Sequence, residues 1–427
     1  MKIKNISLLS ILTVLYVMGS ARLEIMGIPS TRIFLLILIS YCICLFCFNR
    51  RNMRFVYPGY VLFYLITVIV VNFFHLTLNN LIWSSLEIFL LLMIFPTLFR
   101  KEKDFYYIID VFLFAVGILA ILGIIETFTG FNLFDTLSGN YVVKYGANSL
   151  RFGLTRSRGF LTTSINNALF LGMSATLCAY RISTTKTYTQ KKRLICVYIL
   201  LLTNMISTMS RGVMIIFAIV QLIMWWKNKV ITNPFKMLKI ITAFAVALLM
   251  LNIMGIPVIR IIHNLFSMFA VIINPSYGKS IASDFGMNLY GVGSRLQLFG
   301  LVWDAVKDNF VLGNGYQTHF SVRLTSTIVK TSIENTYLGY LYYGGFVGLM
   351  GILILLIGVI ISSIRKSKRL ISSESGMSFE WMMVLLTAAY AASLFTVYAV
   401  DDLRTFYFLI AMLFAHRRLL VNKSKDN

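Results

Sequence analysis

Long apolar runs, separated by short polar segments rich in Lys and Arg, follow one another along most of the chain. A helix needs about 20 mostly apolar residues to cross a bilayer. This criterion predicts an all-α polytopic membrane protein with about 12 transmembrane helices. The candidate spans are 5–21, 33–48, 55–73, 81–99, 105–126, 164–180, 194–209, 213–226, 240–262, 336–362, 380–400 and 405–416.

The composition supports the same class of protein. Hydrophobic residues make up 58% of the 427 residues and charged residues only 13%, against about 45–50% and 25% in soluble domains. So few charged residues could not cover the surface of a soluble fold, and the composition also excludes a disordered chain or a secreted disulfide scaffold. The five cysteines lie within apolar runs, where Cys is usually a small hydrophobe. We therefore expect no metal at the cluster Cys42, Cys44 and Cys47.

Clusters of Lys and Arg precede the first span and then follow every second span, from Lys2 and Lys4 to Arg417 and Arg418. The positive-inside rule then places both termini in the cytoplasm. This distribution explains the net charge of +23 by membrane topology, so we expect the bilayer and not nucleic acid as a partner. The predicted regions are helices 1–126, a long extracytoplasmic loop 127–163, helices 164–262, a second such loop 263–335, and helices with a tail 336–427.

The two long loops contain cations that the charge rule does not require, and loops of this length are often functional. Arg151, Arg156 and Arg158 lie close together in the first loop, beside Gly and hydroxyl residues. One arginine guanidinium can donate two parallel hydrogen bonds to the oxygens of a phosphate, and it needs no metal to do so. The pattern therefore fits a diphosphate receptor, or alternatively a solvated cationic patch near anionic headgroups.

A turn of small residues, Ser210-Arg211-Gly212, separates two apolar helices at their predicted outer ends. It would hold the Arg211 guanidinium near the membrane surface, facing the long loops. The alternative is that Arg211 only snorkels from a helix end toward water.

The second loop contains an amphipathic pattern after Gly293-Ser294-Arg295, with apolar residues at 296, 299, 302, 303 and 306. This spacing predicts a helix, with Ser294 as a candidate N-cap. Such a helix could lie along the bilayer and present Arg295 to a lipid-borne anion. Gly313-Asn314-Gly315 would end it with a turn.

Glu334 precedes a Gly-rich span at the predicted lip of the membrane, which makes it a candidate general base or an ion-pair partner for an arginine. His319 is a second candidate base, although isolated loop histidines are usually incidental. Glu87 and Asp110 lie within spans in opposite leaflets, where they would be functional or would form polar contacts between helices. Without a Walker motif, nucleotide fingerprint or zinc spacing, we expect no cofactor, no metal and no ATP hydrolysis.

The order of these motifs resembles that of the O-antigen polymerase and O-antigen ligase superfamily. The resemblance covers about residues 150–355. The motifs are Arg158-Gly159-Phe160, Asn166-Asn167, Ser210-Arg211-Gly212, Arg295 with Trp303 and Gly313, and Glu334-Asn335-Thr336-Tyr337-Leu338 before Gly345 and Gly348.

The resemblance implies a metal-independent, inverting glycosyltransferase in the bacterial cytoplasmic (inner) membrane. It would use undecaprenyl-diphosphate-linked glycans as donor and acceptor on the outer leaflet. The ligase branch typically has a His where this chain has Glu334. This difference favours a repeat-unit polymerase for O-antigen, capsule or another exopolysaccharide, which would be expected to work with a chain-length regulator. The alternatives are a ligase that transfers glycan to lipid A core or protein, and a flippase for the same lipid.

The resemblance also suggests roles for individual residues. Family arginines that engage the diphosphate match Arg211 and Arg295, and Glu334 would act as base or orienting group. The expected substrate-binding residues are Arg151, Arg156, Arg158, Asn335, Tyr337, His319 and Arg323.

Overall fold

The computed structural model describes most of the chain and is mostly helical. The described residues are 3–19, 23–25, 27–49, 58–138, 150–151, 154–228, 290–323, 329–330, 333–370, 378–398 and 403–426, with isolated helical positions between 242 and 253.

The described residues of the first half of the chain form helices and two pairs of short strands. Its elements are α1 (Ile3–Val17), β1 (Glu24–Ile25), β2 (Ile28–Pro29), α2 (Ser30–Asn49), α3 (Gly59–Phe74), α4 (Leu78–Ile88), α5 (Glu102–Thr129), α6 (Leu133–Leu137), β3 (Leu150–Arg151), β4 (Leu154–Thr155), α7 (Ser164–Thr184), α8 (Tyr188–Ser207) and α9 (Arg211–Lys227). Helix α4 continues as a π-helical segment, Phe89–Ile94, and a 3-10 turn, Phe95–Leu98. The strands pair antiparallel, β1 with β2 and β3 with β4.

The described residues from Tyr290 onward also form helices and one pair of short strands. Its elements are α10 (Tyr290–Val306), a 3-10 turn (Lys307–Asn309), β5 (Val322–Arg323), β6 (Val329–Lys330), α11 (Thr336–Leu370), α12 (Phe379–Ser393) and α13 (Arg404–Asp426). Strands β5 and β6 pair antiparallel, with Val322 opposite Lys330.

Three helical stretches in the described residues are long and apolar enough to cross a membrane: Leu78–Leu98, Glu102–Thr129 and Thr336–Ser367. Helices also occupy the other predicted spans except 240–262, most of which lies outside the described residues. The helical membrane class is therefore confirmed. The number of twelve spans and the orientation of the chain stay predictions.

Helix ends are fixed by side-chain caps and by glycine. The Thr163 hydroxyl accepts a hydrogen bond from the backbone N–H of Asn166 at the start of α7, and Ser378 caps α12 in the same way. These caps satisfy backbone donors that a helix start leaves unpaired. Helix α5 ends at Gly130, whose φ of 70° is left-handed and favours glycine.

Helix α11 is interrupted at Gly345, which has φ 61° and ψ −160°. The segment 310–315 fills the gap by backbone pairing: Asn314 and Gly315 donate to the carbonyls of Tyr342 and Tyr343 at 2.9 and 2.8 Å. In the opposite direction, Phe346 donates to the carbonyl of Phe310 at 2.8 Å. The Tyr342 and Tyr343 carbonyls and the Phe346 N–H would otherwise lack a partner at the break in the helix, which is costly away from water.

Two glycines permit this close approach. A Cβ at Gly313 would lie 2.4 Å from the Gly345 nitrogen, and a Cβ at Gly345 would lie 2.4 Å from the Gly313 nitrogen. Both residues also have positive φ. The predicted Gly313-Asn314-Gly315 turn is therefore present, and it joins the second loop to the interior of α11.

Helix α10 confirms the predicted helix in the second loop but begins earlier than expected. Because the helix starts at Tyr290, Ser294 lies inside it, and the prediction that Ser294 is the N-cap is wrong. Leu298, Val302 and Val306 are buried against Phe320, Ile333, Leu338 and Tyr342. Phe299 and Trp303, expected on the apolar face, are about half exposed at 49% and 52%.

Both carboxylates discussed within the spans form polar contacts between helices. Asp110 of α5 accepts hydrogen bonds from Arg181 of α7 at 2.7 and 2.9 Å. The Tyr16 hydroxyl of α1 donates to the Glu87 carboxylate of α4. A third carboxylate, Glu380, is fully buried and paired with Arg417 through two hydrogen bonds of 2.8 and 2.7 Å.

Candidate active site at the loop end of the bundle

We call the end of the bundle where α5, α8 and α12 finish and α7, α9, α11 and α13 begin the loop end. Hydrogen bonds join these termini to one another. Ser157 donates from its backbone to the Ser207 carbonyl at 3.2 Å, and the Ser210 hydroxyl donates to the Ser164 carbonyl at 3.1 Å. The loop end therefore collects segments from both halves of the chain.

Arg156 links the first loop to the turn between α8 and α9. Its Nε donates to the Thr208 carbonyl at 3.0 Å, and its Nη2 donates to the Ser210 hydroxyl at 3.0 Å. The guanidinium thus uses its planar fork to hold the residues directly before Arg211. Arg211 itself is the first residue of α9 and is half-buried.

The turn that precedes Arg211 contains an unusual backbone conformation. Met209 has φ 52°, although it is not a glycine, and its side chain is buried. A left-handed conformation costs an unbranched residue about 1 kcal/mol or more, and such positions concentrate at functional sites. The surrounding contacts, including those of Arg156, hold the turn in this conformation.

Arg158 is surrounded by carboxylates. Its guanidinium contacts the Asp135 carboxylate, and its Nε lies 3.8 Å from Oε1 of Glu126. The side chain is largely buried. The sequence suggested Arg158 as a substrate-binding cation. The contacts in the structure give it a second, structural function, because they neutralise the guanidinium within the protein.

The turn that carries Arg211 also adjoins the turn after α12. A Cβ at Gly212 would lie 3.5 Å from the Thr396 hydroxyl oxygen. The same turn, 394–397, accepts hydrogen bonds from Thr336, whose N–H donates to Leu394 at 2.9 Å and whose hydroxyl donates to the Val397 carbonyl. Thr336 follows Glu334 and Asn335 directly, so the Glu334 segment is hydrogen-bonded to the same short turn that Gly212 lies against.

Asn335 and Tyr337 have clear structural contacts. The Asn335 side chain accepts from the Leu338 N–H at 3.1 Å and so caps α11. The Tyr337 hydroxyl donates to the Ala391 carbonyl at 2.8 Å, and its ring packs 4.7 Å from that of Phe395. Phe395 is 58% exposed, which leaves an aromatic surface beside the Arg211 turn. Glu334 is half-buried just before this cap.

Several candidate residues lie outside this cluster or outside the described side chains. The side chains of Arg151, Arg295 and Arg323 are not described, although their backbones belong to β3, α10 and β5. His319 is exposed in the second loop.

Sequence reasoning missed Glu126 as a member of the site. It lies near the end of α5 and is 1% exposed. Its Oε2 accepts from the backbone N–H groups of Arg158 and Gly159, both at 2.9 Å, and its Oε1 accepts from the Asn132 amide at 2.7 Å. A lone carboxylate at the polar end of an apolar run carries little signal in sequence, because its partners come from the following loop.

Comparison with protein families gives a match over part of this region. Residues 196–353 match the O-antigen ligase family. The match confirms the resemblance inferred from the motifs, and it includes Arg211, Arg295 and Glu334. Comparison with curated proteins gives no significant match.

The O-antigen ligase match begins within α8 and ends within α11, beyond the break at Gly345. The candidate residues from Arg211 to Glu334 therefore lie in a region that is similar to the O-antigen ligase family. Arg156, Arg158 and Glu126 precede the matched residues.

Proposed function

We propose that the chain is a membrane glycosyltransferase that polymerises undecaprenyl-diphosphate-linked oligosaccharide repeat units. It would act on the outer face of the bacterial cytoplasmic membrane, with about twelve spans and both termini in the cytoplasm. The observation that carries this proposal is that the Arg211 turn and the Glu334 segment both lie against one turn, 394–397. This arrangement brings a cation and a carboxylate to the same end of the bundle.

The reaction requires a sugar hydroxyl of the acceptor to attack the anomeric carbon of the donor. A new glycosidic C–O bond forms while the bond from that carbon to the lipid diphosphate breaks. Negative charge then develops on the departing diphosphate, and fixed guanidiniums near a poorly hydrated site stabilise such charge well. Arg211 and Arg295 would provide this stabilisation without a metal, and attack from the opposite face would invert the configuration.

Glu334 would accept the proton that leaves the attacking hydroxyl. General base catalysis of this kind contributes about 10²–10⁴-fold. The half-buried position of Glu334, fixed by the helix cap at Asn335 and by the bonds of Thr336, supports a defined orientation. Arg151, Arg156, Arg158, Tyr337, His319 and Arg323 would complete the substrate-binding surface, and a chain-length regulator would control the product.

The family description favours a second candidate function, transfer of a finished glycan to lipid A core or protein. The lipid-linked intermediates of a deletion strain separate the two. Loss of a polymerase leaves single lipid-linked repeat units, whereas loss of a ligase leaves long lipid-linked chains. Repeat units accumulating on the cytoplasmic leaflet would instead indicate a flippase and contradict both proposals.

Purified protein provides the direct test. Protein in nanodiscs, supplied with lipid-linked repeat units alone, should produce a ladder of longer lipid-linked products. Arg211→Ala should lose this ladder, whereas Lys307→Ala, which removes an exposed cation of the second loop, should retain it. A wild-type protein that elongates nothing in this assay would contradict the polymerase proposal.

A further inference from the structure

We infer that Glu126 is a positioning residue for the diphosphate site and acts through Arg156. This inference rests on the proposed function, because it concerns how the same site is held in place. Glu126 is not itself expected to touch substrate, since its carboxylate oxygens accept hydrogen bonds from Asn132, Arg158 and Gly159 inside the protein.

The first step is the way Glu126 fixes the backbone of the first loop. Both N–H groups of the Arg158–Gly159 pair donate to the same carboxylate oxygen, Oε2, at 2.9 Å. Hydrogen bonds from backbone N–H groups to an ionised carboxylate are stronger than neutral ones. Gly159 has φ 57°, so the carboxylate holds a left-handed turn only two to three residues after Arg156.

The second step is the support that Glu126 receives. The Asn132 amide donates to Oε1 of Glu126 at 2.7 Å and to the Gly159 carbonyl at 2.9 Å. The Oδ1 atom of Asn132 meanwhile accepts from the N–H groups of Phe134 and Asp135, so the orientation of the amide is fixed. Glu126 and Asn132 together therefore connect the end of α5 to the N–H groups of Arg158 and Gly159 and to the Gly159 carbonyl.

The third step connects this turn to Arg211. The residues between Arg156 and Gly159 are also fixed, because the Ser157 N–H donates to the Ser207 carbonyl and the Asn167 amide donates to the Ser157 hydroxyl at 3.1 Å. Arg156 then donates to the Thr208 carbonyl and the Ser210 hydroxyl, on either side of the left-handed Met209. A shift of the loop backbone would move the guanidinium that braces the turn carrying Arg211.

Glu126→Gln is the informative substitution. A glutamine oxygen could still accept from the two backbone N–H groups, but its amide nitrogen would then face the Asn132 amide and the Arg158 Nε. The Asn132 amide cannot reverse without losing its two bonds to α6. The substitution thus leaves donors facing donors, while it preserves the size of the side chain.

The experiment measures binding and turnover on purified full-length protein in nanodiscs. The probe for binding is undecaprenyl diphosphate, and turnover uses lipid-linked repeat units. We expect Glu126→Gln to weaken probe binding about ten-fold, the effect of losing one charge-assisted interaction. Glu126→Asp, which retains the charge, should recover part of the affinity. Asp110→Asn is the matched control, because it removes a paired carboxylate at the opposite end of the same helix.

A double-mutant cycle tests the route through Arg156. If Glu126 acts through Arg156, the double variant Glu126→Gln, Arg156→Ala should bind the probe no more weakly than Arg156→Ala alone. Losses that multiply, or a Glu126→Gln protein that binds and elongates as wild type does, would overturn the inference. If Glu126→Gln does not fold, the same cycle with Glu126→Asp decides between these outcomes.

The two proposals fail in different ways. A wild-type protein that binds undecaprenyl diphosphate but elongates no repeat units would contradict the polymerase proposal. The double-mutant cycle of Glu126 and Arg156 could still be measured by probe binding. A wild-type protein that elongates repeat units, with Glu126→Gln unchanged, would contradict only the positioning inference.

Discussion

Arg156 and Ser210 lie 54 residues apart in the chain and are joined by a hydrogen bond of 3.0 Å between the guanidinium Nη2 and the hydroxyl oxygen. The same hydroxyl donates to Ser164 at the start of α7. One serine therefore connects the first long loop, α7 and the turn that carries Arg211.

Arg156→Lys should be a damaging substitution although it preserves the charge. An ammonium group cannot reproduce the two directed hydrogen bonds to Thr208 and Ser210. We expect kcat/KM for the lipid-linked donor to fall about ten-fold, a loss of about 1.4 kcal/mol in transition-state stabilisation. Lys307→Arg provides the control on an exposed cation, and equal rates for Arg156→Lys and wild type would contradict the prediction.

Glu334→Gln tests the assignment of the base. If Glu334 takes the proton of the attacking hydroxyl, kcat should fall about 10²–10⁴-fold while donor affinity changes little. Glu334→Asp should retain part of the rate. Asp304→Asn removes an exposed acid of α10 and should leave the rate unchanged. A Glu334→Gln protein with the wild-type rate would assign the carboxylate to a structural role.

Gly345→Ala should destabilise the protein strongly. The added methyl group would lie 2.4 Å from the Gly313 nitrogen, on a backbone with positive φ. Strain and overpacking together should cost about 3 kcal/mol or more, visible as a lower unfolding temperature in detergent.

Gly300→Ala is the control for that substitution. Gly300 lies within α10, and apart from its chain neighbours and the adjacent helix backbone, no described atom lies within 4 Å of the position that an alanine methyl group would occupy there. Alanine at this position should stabilise the helix by about 0.5–1 kcal/mol. Similar unfolding temperatures for the two variants would show that the crossing at Gly345 is more adaptable than its geometry indicates.

Glu380→Gln should destabilise the bundle without changing the chemistry at the loop end. Glu380 is fully buried and forms two hydrogen bonds with Arg417 near the start of α12. Loss of one partner from a buried ion pair costs about 3–5 kcal/mol, because the other charge stays buried. Thermal unfolding should detect this loss of stability, and the protein that remains folded should elongate repeat units at the wild-type rate.

Combining Glu380→Gln with Arg417→Gln should recover part of the stability, because neither residue is then a buried unpaired charge. A double variant less stable than Glu380→Gln alone would mean that Arg417 contributes mainly through its bonds to Ser362 and Ser363.

The length of the apolar runs predicted most of the helices, because length and hydropathy determine which segments can cross a bilayer. The spacing of apolar residues predicted α10. It misplaced the start of α10, because the helix begins before the Gly293-Ser294 pair that a capping argument selects. It grouped Phe299 and Trp303 with Val302 and Val306 on one apolar face, whereas Leu298, Val302 and Val306 form the stripe that packs within the protein.

The partners of polar residues were harder to predict. Arg158 is one of three similar arginines in the sequence, and only the fold places it beside Asp135 and Glu126. The close approach of Gly313 to Gly345 is likewise absent from the sequence pattern, because the hydrogen bonds around it are made by backbone atoms that every residue type shares. Local patterns indicate which residues are unusual, while the three-dimensional arrangement decides what each one contacts.

The backbone pairing between 310–315 and the interruption of α11 has a consequence for protein engineering. Main-chain atoms form the junction and Gly313 and Gly345 allow its close approach, so the chain length and both glycines must be kept. A chimera that takes the second loop from a relative should therefore exchange 309–315 together with 342–347. A single deletion within 310–313 would shift every donor away from its acceptor and separate the loop from the helix.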